Sequence, residues 1–261
     1  MAEKCIHARV DERPRSLGIG MEQRRSAHPG IGYYHAMSGV LAILLVVTGM
    51  AASSQVELSS TPSADAENWR LASQSGGIKL YSRIHPGSSL KEFKAVGVIE
   101  APTRAVHNVL NDVENYPKFM PFTAECRIIK RSGESIYAYQ RISPKIVGDR
   151  DYTICIQEKS WLGDGGTVYS KRWTPANEFG PPETKGVLRV KLTEGSWLLE
   201  PEGAGKTRAT YSLYTDTGGR LPAFIANAAS GIGIRRIFAA VRHQVKDSKY
   251  LADKDFLEGS R

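Results

Sequence analysis

Three histidines, His85, His107 and His243, are the first places to look for proton-transfer chemistry in the body of this chain. Nucleophilic catalysis needs a histidine held between a serine or cysteine and a carboxylate. None of the three has such partners at a suggestive spacing. His85 falls in a turn, His107 on the outward side of a short helix and His243 on the last helix, so each reads as a solvated side chain. The turn Gly163-Asp164-Gly165-Gly166 lacks the Lys-Ser/Thr ending of a phosphate loop. Cys5, Cys126 and Cys155 are too few for a disulfide scaffold, and no Cys/His cluster has zinc spacing. Cys126 and Cys155 could pair; the simpler reading makes each a small buried apolar residue in a strand. No metal and no cofactor is expected.

Arg150 stands apart. It is bracketed by Asp149 and Asp151, and two carboxylates around an arginine read more simply as ion pairing than as acid–base chemistry. Strand alternation puts Arg150 on one face with Tyr152, Ile154 and Ile156, and Asp151, Thr153, Cys155 and Gln157 on the other. Gln140 falls inward with Ile136 and Ala138 on the preceding strand. Two readings of Arg150 follow. Either it pairs with Asp149, Asp151 or Glu125 at a pocket rim, or its face lines a cavity and the cation needs a ligand oxygen.

The elements that must position these residues come next. Apolar spacing predicts a short helix over 67–74, strands over 77–84 and 92–100, and short helices over 103–111 and 115–120, with Thr103 as an N-cap. Seven strands follow, over 125–130, 134–141, 149–158, 167–174, 186–193, 195–200 and 206–215, with glycine-rich turns at 132–133, 163–166 and 203–205. A long helix over 222–250 closes the chain. Its apolar residues are Ile225, Ala228, Ala229, Ile232, Ile237, Phe238, Val241 and Val245. Gly231 and Gly233 in its middle each cost about 1 kcal/mol relative to alanine, and mark a close approach or a bend. An antiparallel sheet has one face to bury, and only the last helix is long enough to cover it, so the class is α+β.

Composition sets the outer bounds. The 261 residues are 41% hydrophobic and 24% charged, which excludes wholesale disorder. The net charge of +8 suits anionic surfaces, but no RNA-binding aromatic motif, zinc finger or long basic run accompanies it, so nucleic acid is set aside. Residues 38–52 form an uncharged apolar core behind Arg24 and Arg25 and ahead of small residues. That is the pattern of an export signal, with an uncleaved anchor as the alternative. The chain is therefore divided into a targeting segment over 1–53, a linker over 54–66, a body over 67–250 and a tail over 251–261. The body is expected outside the cytoplasm, periplasmic or membrane-anchored, and monomeric.

Five stretches carry a family likeness: WRLASQSGGIKLYSR (69–83), NYPKFMP (115–121), GDRDY (148–152), GSWLLEP (195–201) and GGRLPAFIAN (218–227). Together, and in this order, they resemble the START family of lipid-binding proteins within the helix-grip superfamily. The resemblance implies a curved antiparallel sheet wrapped around a long C-terminal helix, with a hydrophobic tunnel between them. A lipid or other hydrophobic small molecule would bind there without catalysis. Ile136, Ala138, Gln140, Arg150, Tyr152, Ile154, Ile156, Trp197, Leu199, Phe224, Ile225, Ala228 and Ile232 would line it. Sterol carriers of the family place a charge deep in the cavity; the matching position here looks like Ile156, so a sterol-type ion pair is not expected. The resemblance also puts the connection 174–185 at the tunnel mouth beside the last helix, as a lid. Cations on that helix would rest on anionic membrane. A polyketide cyclase or aromatase, or a quinone-binding module, could use the same cavity.

Overall fold

The computed structural model describes residues 68–252 apart from 145, 146 and 220; the targeting segment and linker expected over 1–66 lie outside them. Alternation explains the sheet. In β3 (Lys91–Ile99) Phe93, Ala95 and Ile99 point inward and are buried, while their neighbours are half-exposed. β3 pairs with β2 (Ile78–Ile84) and with β10 (Thr207–Asp216). The order continues through β9 (Leu192–Pro201), β7 (Gly166–Pro175), β6 (Arg150–Gly163), β5 (Ser135–Ile142) and β4 (Thr123–Ser132). All these pairings are antiparallel; only the two-residue β8 (Leu188–Arg189) runs parallel, against the start of β6.

The stretch expected as a first helix is instead β1 (Arg70–Ser75), an edge strand on β2. Pairing with β2 overrides the local propensity. The strand expected over 186–193 is split, because its second half belongs to β9.

Helices α1 (Thr103–Asn111) and α2 (Tyr116–Phe119) bridge β3 and β4. Thr103 is the first helical residue and not the cap; its hydroxyl donates to the Thr167 carbonyl, 2.8 Å away. Helix α3 (Ala223–Gln244) grips the sheet through Ile234, Phe238 and Val241, with Val245 beyond its end. Gly231 packs on Leu80, where an added Cβ would lie 3.3 Å from the leucine side chain, so its role is close approach. Gly233 faces open space.

Candidate functional site

The inner face of the sheet carries two separate apolar clusters. One joins β2, β3, β9, β10 and α1 to α3, and includes Leu80, Val106, Trp197, Leu199 and Phe238. The other, on β4, β5 and β6, holds Cys126, Ile136, Ala138 and Ile156 with Val113, and Tyr116 of α2 packs on it. Trp173 of β7 packs against both. Between them Tyr152, Ile154, Trp173 and Leu213 stay only half-buried although they point inward. A concave face that is dry at both ends and half-exposed in the middle is a cleft lined by apolar and aromatic surface.

Aromatic rings pave the way from the α3 core to the cleft. Phe238 meets Trp197 at 5.2 Å, Trp197 meets Tyr211 at 4.7 Å, and Tyr211 meets Trp173 at 5.7 Å between centroids. Gly195 makes this possible. A Cβ there would stand 2.5 Å from the Trp173 indole and 2.2 Å from the Ser212 carbonyl oxygen.

One polar chain crosses the cleft wall. The Tyr152 hydroxyl donates to Gln140 Oε1 at 2.8 Å, and Gln140 Nε2 donates to Thr123 Oγ1 at 3.0 Å. Register explains it, since Gln140 lies directly across from Tyr152. Burial pushes the Tyr152 and Tyr211 phenols far above their usual range, so both remain neutral donors. Burial also pushes the Cys126 thiol up to about 12, and that thiol is free, so Cys126 and Cys155 are not paired with each other.

The expected ion pair of Arg150 is not formed. Asp149 is held by Arg141 and Ser143, Asp151 by Arg189 and Tyr139, and Glu125 by Arg127. Arg150 is 6% exposed, and donates from Nε to the Thr217 carbonyl at 3.2 Å and from Nη1 to the Gly148 carbonyl.

An ionic cluster that sequence reasoning missed lies further along the same face. Glu158, two residues beyond Ile156, pairs with Lys171 at 2.7 Å and faces His107 at 3.3 Å. Burial alone would raise the Glu158 carboxyl, but Lys171 and His107 outweigh it and hold the group at about 2. Lys171 also donates to the Leu110 carbonyl and to Asn111 Oδ1, so these two bonds pin the C-terminal turn of α1 to the sheet. His107 is therefore not on a solvated helix side. It is buried, and stacks on Tyr169 at 4.2 Å. Its partners lie 51 and 62 residues away, beyond any local pattern.

The structure brings Ile136, Ala138, Gln140, Arg150, Tyr152, Ile154 and Ile156 to one inner face. Trp197 and Leu199 sit in the dry core under α3. Phe224, Ile225, Ala228 and Ile232 do not line the cleft; they are exposed, Phe224 by 73% and Ile232 by 51%. The grip residue Ile234 fixes the rotation of α3, and nine residues at about 100° each put Ile225 roughly 180° away. The expected lid is also elsewhere. Residues 176–180 pack on the outer face of the sheet, where Ala176 and Phe179 cover Tyr137 and Cys155 and the Asn177 side chain binds the Thr153 amide.

Comparison with known proteins agrees with this geometry. The family described as polyketide cyclase / dehydrase and lipid transport matches residues 99–242. An uncharacterized protein of Pseudomonas aeruginosa is 32% identical over 164 residues, covering 62% of this chain and 79% of that one. The phosphatidylcholine transfer protein of Mus musculus is 26% identical over 175 residues, 66% of this chain and 81% of its own. The crystal structure of a STAR-related lipid transfer protein fragment from Xanthomonas axonopodis superposes with a TM-score of 0.62 at 27% identity, over 69% of this chain and 99% of that one. Human StAR-related lipid transfer protein 5 shares the fold, with a TM-score of 0.61 at 17% identity over 71% of this chain and 90% of that one. The chain belongs to the polyketide cyclase / dehydrase and lipid transport family, and its body is a START domain of helix-grip fold.

Proposed function

We propose that the domain binds one lipid-like ligand in the cleft between the two apolar clusters and carries it without chemical change. The observation that carries this reading is the row of half-buried inward side chains, Tyr152, Ile154, Trp173 and Leu213. Such surface gains about 25 cal/mol per Å² when a ligand covers it. Gln140, Tyr152 and Arg150 orient the polar end. The lipid transfer proteins among its relatives support the same reading.

The enzyme alternative needs a titratable group at cleft depth poised near neutrality. The Glu158 carboxyl is displaced the other way, to about 2, by its ion pairs with Lys171 and His107, which suits a structural anion better than a base. We further propose that the 1–53 segment exports the domain, and that α3 rests on membrane. Its exposed Phe224, Ile225 and Ile232 would enter the interface, with Arg235 and Arg236 near anionic headgroups. Mass spectrometry of organic extracts of the purified protein tests the central reading. A stoichiometric hydrophobic compound is expected. Protein that arrives empty and takes up no added lipid would overturn it.

A further inference from the structure

Arg150, which the binding reading sets at the polar end of the ligand, is a buried cation with no counter-charge among the described residues. Arg150 stands on the inner face two residues from Tyr152, and is 6% exposed. Among the described residues no carboxylate lies within ion-pairing distance of it. Asp149, Asp151 and Glu125 are each taken by another arginine. Among the described residues its only partners are two main-chain carbonyls, those of Gly148 and Thr217, and Nη2 makes no hydrogen bond there. A guanidinium taken out of water is costly until an anion meets it.

The surroundings are donor-rich. The inward positions of β5 and β6 nearest Arg150 are Ile136, Ala138, Gln140, Ile142, Tyr152, Ile154 and Ile156, and none is acidic. Gln140 spends one amide hydrogen on Thr123 and keeps the other to donate. The carboxylate on this face, Glu158, is bound to Lys171. Among the described residues the cleft thus presents one unmatched positive charge and no unmatched negative one.

We propose that the ligand is an amphiphile with an anionic head, a carboxylate or a phosphate ester, and that Arg150 receives the head. The inference rests on the lipid-binding reading and adds the charge of the ligand to it. A planar guanidinium binds either group through two parallel N–H donors. The Thr217 and Gly148 carbonyls take two of its donors, and a full negative charge competes with them for the guanidinium. A cationic head is rejected by the same charge.

Four probes with one chain decide the matter: dodecanoate, dodecyl phosphate, dodecanol and dodecylamine. Each displaces the neutral fluorophore N-phenyl-1-naphthylamine from the full-length protein at fixed ionic strength. Dodecanoate or dodecyl phosphate should compete at least ten-fold better than dodecanol, and dodecylamine worst; which anion leads tells carboxylate from phosphate. Arg150→Met should erase the ten-fold preference, so that dodecanoate, dodecyl phosphate and dodecanol compete alike with one another on the variant, and Arg150→Lys should keep part of it. Equal competition by all four heads overturns this proposal but leaves lipid binding standing. So does an Arg150→Met protein that keeps the preference. If Arg150→Met does not fold, the wild-type ranking and Arg150→Lys decide alone. Failure of every probe, dodecanol included, overturns the lipid-binding reading and this inference with it.

Discussion

Replacing Glu158 by glutamine asks whether the His107–Glu158–Lys171 cluster holds the fold or performs chemistry. The carboxyl sits at about 2 in the folded protein against an ordinary 4.5. At about 1.4 kcal/mol per pH unit, that difference contributes ~3 kcal/mol to stability at neutral pH. The sign is set by the lowered value. The unfolded chain takes up the proton first, so the contribution is complete above about pH 4.5 and is lost as the pH falls towards 2. Glu158→Gln cannot titrate, and it leaves Lys171 buried at 8% side-chain exposure without its anion. Urea unfolding followed by tryptophan fluorescence at several pH values measures the gap between the two proteins. It should be about 3 kcal/mol at pH 7 and close nearly to zero by pH 2. Ligand binding by the folded variant should match wild type, because the cluster pins α1 and lies outside the cleft's half-exposed middle. A gap that does not change with pH, or no gap at all, would refute the reasoning. A variant that folds normally but loses an activity on a polyketide substrate would move the protein to the enzyme class.

Three further outcomes are expected. Ile154→Arg should abolish uptake of a fluorescent lipid while costing less than about 2 kcal/mol of stability, since the side chain sits in the half-open cleft and not in a dry core; global unfolding would show that the site is packed. Gly195→Ala should lose about 2 kcal/mol and displace Trp173, because the new methyl has no room beside the indole and the Ser212 carbonyl; an unchanged melting temperature contradicts the close contact. Ile232→Glu should leave the melting temperature unchanged, since the residue is 51% exposed, yet weaken sedimentation with anionic vesicles, and that binding should fall with added salt in wild type. Equal sedimentation of variant and wild type would remove α3 from the membrane contact.

The cleft wall was legible in the sequence where a two-residue period governs. Alternation in β6 alone places Arg150, Tyr152, Ile154 and Ile156 together, and alternation in β5 places Gln140 opposite them, as the register shows. Alternation says nothing about partners, so it left Arg150 balanced between three carboxylates and a ligand, and only the structure shows each carboxylate engaged elsewhere. The helix was harder. The apolar residues of α3 cover more than one face, so the period does not say which stripe grips the sheet, and Ile225 and Ile232 fall on the outward side. His107 was misplaced for another reason. A single helical turn does not show that β6 and β7 deliver Glu158, Tyr169 and Lys171 to it across the sheet. The residues of β1 on their own favour a helix, because its strand character comes from its neighbour.

The most direct test of the account is to purify the full-length protein under native conditions and weigh what comes with it. Native mass spectrometry should show one hydrophobic molecule per chain, released on denaturation and absent from Ile154→Arg prepared in the same way. A ligand-free wild-type protein that also fails to take up lipid from vesicles would contradict the claim that the cleft is a lipid site.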